Sequence, residues 1–140
     1  MISRHDVPDL AGFSAVAAGF AATLRAGDVV ALEGDLGAGK TTFVAAVAQA
    51  LGTTSDVASP TFTFWHRYAA PVALEHLDLY RIDDPAEARE LGLEDALDPN
   101  GIAFVEWPDR LPGFVPDNAV RVRITGVGEG PRTIEIERPG

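Results

Sequence analysis

The sequence contains no cysteine. That excludes a disulfide framework, thiolate nucleophiles and cysteine-ligated metal centres. Lysine is nearly absent as well: of eleven Lys and Arg residues, only Lys40 is a lysine. Positive charge is scarce overall, and the formal net charge of −10 at pH 7 argues against autonomous binding to nucleic acid, which requires a basic face. Arg121 and Arg123 are the best local candidates for a basic patch, with a solvated strand face as the plainer reading. No apolar run approaches the length of a membrane span, and Met1-Ile2-Ser3-Arg4 does not open a signal peptide. The expectation is a soluble cytoplasmic protein with no membrane partner. At 140 residues the chain is long enough for a real core and reads as one domain over 1–140.

What is present centres on that one lysine. Gly34-Asp35-Leu36-Gly37-Ala38-Gly39-Lys40-Thr41 fits the phosphate-loop pattern G-x-x-x-x-G-K-[ST]. A triphosphate is a dense anion, best held by converging backbone N–H groups and a helix N-terminus. The glycines let the backbone bend around phosphates without a Cβ in the way. The compact Lys40 ammonium suits the β- and γ-phosphates better than a planar guanidinium. Thr41 offers a hydroxyl to Mg²⁺. The flanks agree. Residues 28–33 read as a short buried strand. Phe43, Val44, Val47, Ala48 and Leu51 recur at helical spacing before a stop at Gly52. A guanine-reading Asn-Lys-x-Asp element would need a second lysine, so ATP is favoured over GTP.

Elsewhere, Leu10, Phe13, Val16, Ala17, Phe20 and Leu24 mark one face of a helix with Pro8 near its start. Residues 53–61 form a polar loop ending in Ser59-Pro60-Thr61. Residues 62–68 and 72–80 read as two strands around Ala69-Ala70-Pro71. Asp84 and Glu87 have the spacing of a capping box for a helix ending near Gly92, followed by a short turn over 93–97. Residues 101–105 form a compact buried strand. Alternation at Val120, Val122, Ile124, Ile134 and Ile136 marks a C-terminal hairpin with one wet face, so the sheet should be mixed. The class is α/β.

Phosphoryl transfer also needs a carboxylate near the metal and a group that orients the attacking water or hydroxyl. Asp78 and Glu106 both close strand segments. Glu106 resembles the carboxylate of a Walker B strand, with glutamate in place of the usual aspartate. A solvated carboxylate at a strand terminus is the plain alternative for each. Thr61, in the loop after the phosphate-loop helix, suits a switch-like contact to Mg²⁺ or the γ-phosphate and equally an ordinary turn. His76 reads as a plain strand histidine, alternating away from the neighbours of Asp78, and His66 beside Trp65 as surface packing. Arg81, Arg89 and Arg110 are scattered, and no insertion is long enough for a separate lid. That weakens a small-molecule kinase, though this and a non-catalytic ATP-dependent switch stay open.

Four segments in order carry a family resemblance: 34–43 around the phosphate loop, Ser59-Pro60-Thr61-Phe62-Thr63, His76-Leu77-Asp78-Leu79-Tyr80-Arg81 and Val105-Glu106-Trp107-Pro108. Over about residues 9–137 the chain resembles the TsaE (YjeE) family, the small ATPases of bacterial tRNA threonylcarbamoyladenosine (position 37) biosynthesis. The resemblance implies a P-loop NTPase-like three-layer sandwich with a mixed central sheet, ATP hydrolysis, and action with TsaB and TsaD, so that tRNA is met only through the complex. It implies nucleotide contacts from Asp35, Leu36, Gly37, Ala38, Gly39, Lys40, Thr41 and Thr42. Mg²⁺ is expected near Thr41 and Glu106, and an essential aspartate at Asp78. Lys40 and Thr61 join Asp78 as candidate catalytic residues. Trp107, Asp9 and Arg132 are candidates for the base, with Leu10 an equal contender and a buried core position the alternative for Trp107.

Overall fold

Two five-residue runs, Val29–Glu33 (β2) and Ile102–Glu106 (β5), have apolar residues on both faces and lie side by side in parallel. Strands covered on both faces form the centre of a sheet rather than its edge. Leu74–Asp78 (β4) pairs in parallel with β5, and Val120–Thr125 (β6) in parallel with β2. Trp65–Tyr68 (β3) runs antiparallel to β4 at one edge, and Arg132–Glu137 (β7) antiparallel to β6. Ile2–Val7 (β1) pairs antiparallel with β7, giving seven strands in the order β1-β7-β6-β2-β5-β4-β3. The computed structural model describes residues 1–60, 63–126, 128 and 130–139.

Alternation sorts the strand residues between two cores. Val30, Leu32, Leu74, Ile102, Phe104, Val122 and Ile124 face Leu10–Ala21 (α1) and Lys40–Ala50 (α2). Phe43 of α2 packs on Phe13 and Phe20 of α1, with ring centroids 5.8 and 5.7 Å apart. Val29, Ala31, Leu77, Ala103 and Val105 face the other layer, made of Pro85–Glu90 (α3) and the chain over 93–97 and 107–119. The expected three layers, mixed sheet and C-terminal hairpin are therefore present.

Four local expectations differ. β1 was not anticipated, because Ile2-Ser3-Arg4-His5-Asp6 is mostly exposed and only Val7 is buried. Leu10 is 67% exposed and lies off the buried face of α1, while Leu24 packs just beyond the helix end. β3 starts only at Trp65, since Phe64 is left-handed at φ +67° and interrupts extended chain; residues 61 and 62 lie outside the described residues. Asp84 does cap α3, accepting from the Ala86 N–H at 2.9 Å. Glu87 does not complete a capping box, and its Oε1 is buried without a partner among the described residues.

Candidate nucleotide and metal site

β2 delivers the chain into the glycine loop, and α2 carries it out. Gly34 has φ +155°, and a Cβ there would stand 2.5 Å from the Ile124 carbonyl oxygen, so only glycine fits. Gly39 takes the left-handed conformation at φ +112° as the N-cap of α2, and no side chain caps the helix. The amide end of an eleven-residue helix is thus offered to an anion. Lys40 is buried, and its Nζ donates to the carbonyl oxygens of Gly34 at 2.5 Å and Asp35 at 3.0 Å. The ammonium also stands 4.3 Å from the Trp107 ring centroid. Burial holds the Lys40 pKa below the ordinary lysine value, opposed by the charges of Glu106, Asp78 and Asp35.

The two carboxylates meet at the carboxyl ends of adjacent parallel strands. Asp78 and Glu106 are register partners, and Glu106 is also level with Leu32 just before the loop. Both are buried on the α2 face. Thr41, in the first turn of α2, donates its hydroxyl to Glu106, with Oγ1 2.9 Å from Oε2 and 3.2 Å from Oε1. Asp78 takes the other side of the cleft: Oδ2 accepts from Ser59 Oγ at 3.0 Å and Oδ1 from the Tyr80 N–H at 2.9 Å. Among the described residues no group of three or more His, Cys, Asp or Glu side chains could hold a metal unaided. One threonine hydroxyl on one carboxylate fits Mg²⁺, which is usually held by one or two carboxylates and completes its shell with phosphate oxygens and water.

His76 is more than a plain strand histidine. Residues two apart on a strand share a face, so it alternates away from Leu77 and lies on the same side as Asp78. Its ring is fully buried, with Nε2 2.6 Å from Glu106 Oε2 and Nδ1 3.0 Å from the Tyr68 hydroxyl. Tyr68 also donates to the Ala58 carbonyl at 3.1 Å, on the loop that carries Ser59. Burial, with the charge of Glu106 adding to it, raises the Tyr68 pKa and keeps the phenol protonated. The signal for His76 was its two-residue spacing from Asp78.

The remaining candidates divide between two clefts. One, of about 240 Å³, is lined by Leu36, Gly37, Gly39, Lys40, Thr41, Thr42, Ser59, Asp78, Glu106 and Trp107. The other, of about 420 Å³, lies on the far side of the loop between Asp9, Leu10, Phe13, Ala38, Gly128, Gly130 and Arg132, sharing Gly37, Gly39 and Thr42. Trp107 therefore stands on the lysine side, away from the cleft that holds Asp9 and Arg132. It adopts φ +59° between Glu106 and Pro108, a costly conformation for a bulky residue. Asp9 caps α1 by accepting from the Gly12 N–H at 2.8 Å. Arg132 donates to backbone carbonyls, including Ala38 at 2.8 Å and Gly128 at 2.6 Å. Asp35 contributes its carbonyl rather than its carboxylate to Lys40. Thr61 lies outside the described residues.

The arginines are less scattered than the sequence suggested. Arg81 and Arg110 line one cleft with Tyr80 and Asp83. The Arg110 guanidinium lies 5.0 Å from the Tyr80 ring, which in turn lies 4.8 Å from Trp107. Arg121 and Arg123 are ion-paired with Glu33, and Arg123 also with Glu137, so the basic-patch reading is not favoured. His66 packs edge-on to Tyr68.

The sequence model described as "Threonylcarbamoyl adenosine biosynthesis protein TsaE" matches residues 7–134. The TsaE protein of Bacillus subtilis is 40% identical over 121 residues, 86% of this chain and 75% of the relative. That of Nostoc sp. is 43% identical over 119 residues, 81% and 72% of the two chains. The crystal structure of Bacillus subtilis YdiB superposes with a TM-score of 0.80 at 32% identity, covering all of this chain and 88% of the other. The match spans both carboxylates and the phosphate loop between its first and last residues, and with it the chain belongs to the TsaE family of threonylcarbamoyl adenosine biosynthesis proteins.

Proposed function

We propose that the chain binds and hydrolyses ATP with Mg²⁺ as a component of tRNA threonylcarbamoyladenosine biosynthesis. The relatives' names supply the pathway. The convergence of Thr41 and Glu106 at the end of the phosphate loop, with Asp78 across the cleft, is the observation that carries the activity. In this reading the loop amides and the Lys40 ammonium bind the β- and γ-phosphates. Thr41 and Glu106 would hold Mg²⁺, which when bound neutralises charge on those phosphates. Asp78 orients a water in line with the γ-phosphorus. The water oxygen bonds to phosphorus as the bond to the β,γ-bridging oxygen breaks, giving ADP and inorganic phosphate, with the water's proton leaving to phosphate and solvent. Positioning and electrostatics supply the catalysis.

The cleft beside Asp9, Leu10 and Arg132 suits the nucleoside end, because it opens from the opposite side of the same loop. TsaB and TsaD are the partners this reading requires, in the cytoplasm. An acidic chain, with formal charge −10, would leave tRNA contact to them. No described helix is long and apolar enough to cross a membrane. The test is calorimetry of Mg·ATP binding with steady-state phosphate release. Lys40→Ala should stay folded and lose tight binding; unchanged affinity in that variant overturns the proposal. Rapid phosphorylation of a small metabolite by the chain alone would put a kinase in its place.

A further inference from the structure

We infer that His76 is a positioning residue that holds the Glu106 carboxylate in its metal-facing orientation through Nε2, with its own ring set by the Tyr68 hydroxyl. The inference rests on the reading of Glu106 as a metal-side residue. A neutral imidazole has one N–H and one lone pair. Glu106 Oε2, an acceptor 2.6 Å away, calls for the hydrogen on Nε2. The Tyr68 hydroxyl oxygen lies 3.0 Å from Nδ1 and holds the other edge of the ring. The ring sits on β4 at full burial, flanked by Phe104 in register on β5 and His66 on β3, so it has no room to turn.

Glu106 is thereby held from two sides. Oε2 accepts from His76 at 2.6 Å and from Thr41 at 2.9 Å. The histidine contact comes from the core and the threonine contact from the cleft. Second-layer partners of this kind orient the ligand and tune its basicity. The same tyrosine hydroxyl reaches the Ala58 carbonyl, so the chain Ala58–Tyr68–His76–Glu106–Thr41 ties the loop before β3 to the start of α2.

The test uses ADP, which needs no turnover, and Mn²⁺ as a paramagnetic probe read by electron paramagnetic resonance. In the wild-type complex, Mn²⁺ should bind protein-held ADP more tightly than free ADP. Were it not to, the reading of Glu106 would fail first and this inference with it. Where wild type shows that gain, His76→Leu should weaken Mn²⁺ binding by about tenfold or more while leaving metal-free ADP affinity unchanged. His76→Gln, which keeps a donor near the Nε2 position, should restore most of the loss. A folded His76→Leu variant with wild-type Mn²⁺ affinity overturns the inference. Nitrogen NMR of the wild-type ring decides the matter should that variant not fold: a hydrogen-bearing Nε2 is expected, and an Nε2 without hydrogen overturns it.

Discussion

Asp78 and Glu106 are register partners on neighbouring parallel strands, yet they turn to different company. Glu106 holds Thr41 and His76, while Asp78 holds Ser59 and the Tyr80 amide. One carboxylate belongs to the phosphate-loop helix and the other to the loop before β3. That asymmetry suits a metal-side residue and a water-side residue. Glu106→Gln should weaken Mg²⁺-dependent nucleotide binding. Asp78→Ala should retain nucleotide and lose turnover by about a hundredfold or more. Paired binding and turnover assays check both, and the reverse pattern would exchange the roles.

The Lys40 pKa sets a pH dependence. Burial lowers it in the free protein, and bound phosphates would raise it again. Binding should therefore take up a proton once the pH approaches the lowered value, and affinity should fall as pH rises through it. Calorimetry in two buffers of different ionisation enthalpy measures that uptake. The sign for stability follows from the same shift. A charged lysine that the fold disfavours costs stability below its folded pKa, and the cost fades as pH rises from the folded towards the unfolded value. Nucleotide-free Lys40→Met should thus be at least as stable as wild type at neutral pH, with its advantage shrinking in alkali; urea titrations at two pH values decide it.

Arg132 fastens the phosphate loop to the hairpin. Its guanidinium donates to Gly37 and Ala38 in the loop and to Gly128 and Gly130 between β6 and β7. Charged donors to carbonyls contribute about 1.5–3 kcal/mol each when well made, less where solvent competes. Arg132→Ala should loosen residues 36–39, seen as faster amide exchange there, and weaken nucleotide binding about tenfold. Arg132→Lys should rescue little, because one ammonium cannot span carbonyls on two segments. Full affinity in Arg132→Ala would make the clamp irrelevant to the ligand.

The parts of the site that were legible in the sequence are those where chemistry forces the residue. Gly34 has no room for a Cβ, Lys40 must meet phosphate, and strands covered on both faces such as β5 leave a continuous apolar run ending in Glu106. His76 was hidden because its partner, Glu106, is thirty residues away, and only the assembled sheet makes them neighbours. β1 was hidden because an edge strand needs little apolar surface, and Arg4, His5 and Asp6 give no alternating pattern. Trp107 was read towards the base because it follows Glu106. Its left-handed backbone instead turns the ring over Lys40.

That placement makes Trp107 a reporter of phosphate rather than base. The ring is 4.3 Å from Nζ, so any ligand that draws the ammonium away alters its surroundings. At saturation, ATP, GTP and tripolyphosphate should change its fluorescence similarly, although ATP should bind more tightly than GTP. The other tryptophan, Trp65, donates to Glu75 at 3.0 Å and packs against the other core, so it should stay silent. A signal that survives Trp107→Phe would show that the indole is not the reporter.

The last prediction is that the chain alone hydrolyses ATP slowly and a partner accelerates it. No arginine is among the described residues lining the cleft with Lys40, Asp78 and Glu106. Arg81 and Arg110 lie in a neighbouring cleft beyond Tyr80. An arginine supplied in trans contributes roughly 10³–10⁵ in rate to related reactions. The loop carrying Ser59 is tied to Asp78 through the Ser59 hydroxyl and to Tyr68 and His66 through the Ala58 carbonyl, contacts that docking would have to rearrange. A partner that reseats this loop would free the Asp78 carboxylate from Ser59 to face water, so ATP binding would couple to docking and hydrolysis to release. Steady-state phosphate release should rise steeply when cognate TsaB and TsaD are added, and amide exchange over 53–60 should slow only with ATP and partners together. Should the isolated chain already match the rate of the full assembly, partner activation is wrong, and the Ser59 contact does not restrain the site.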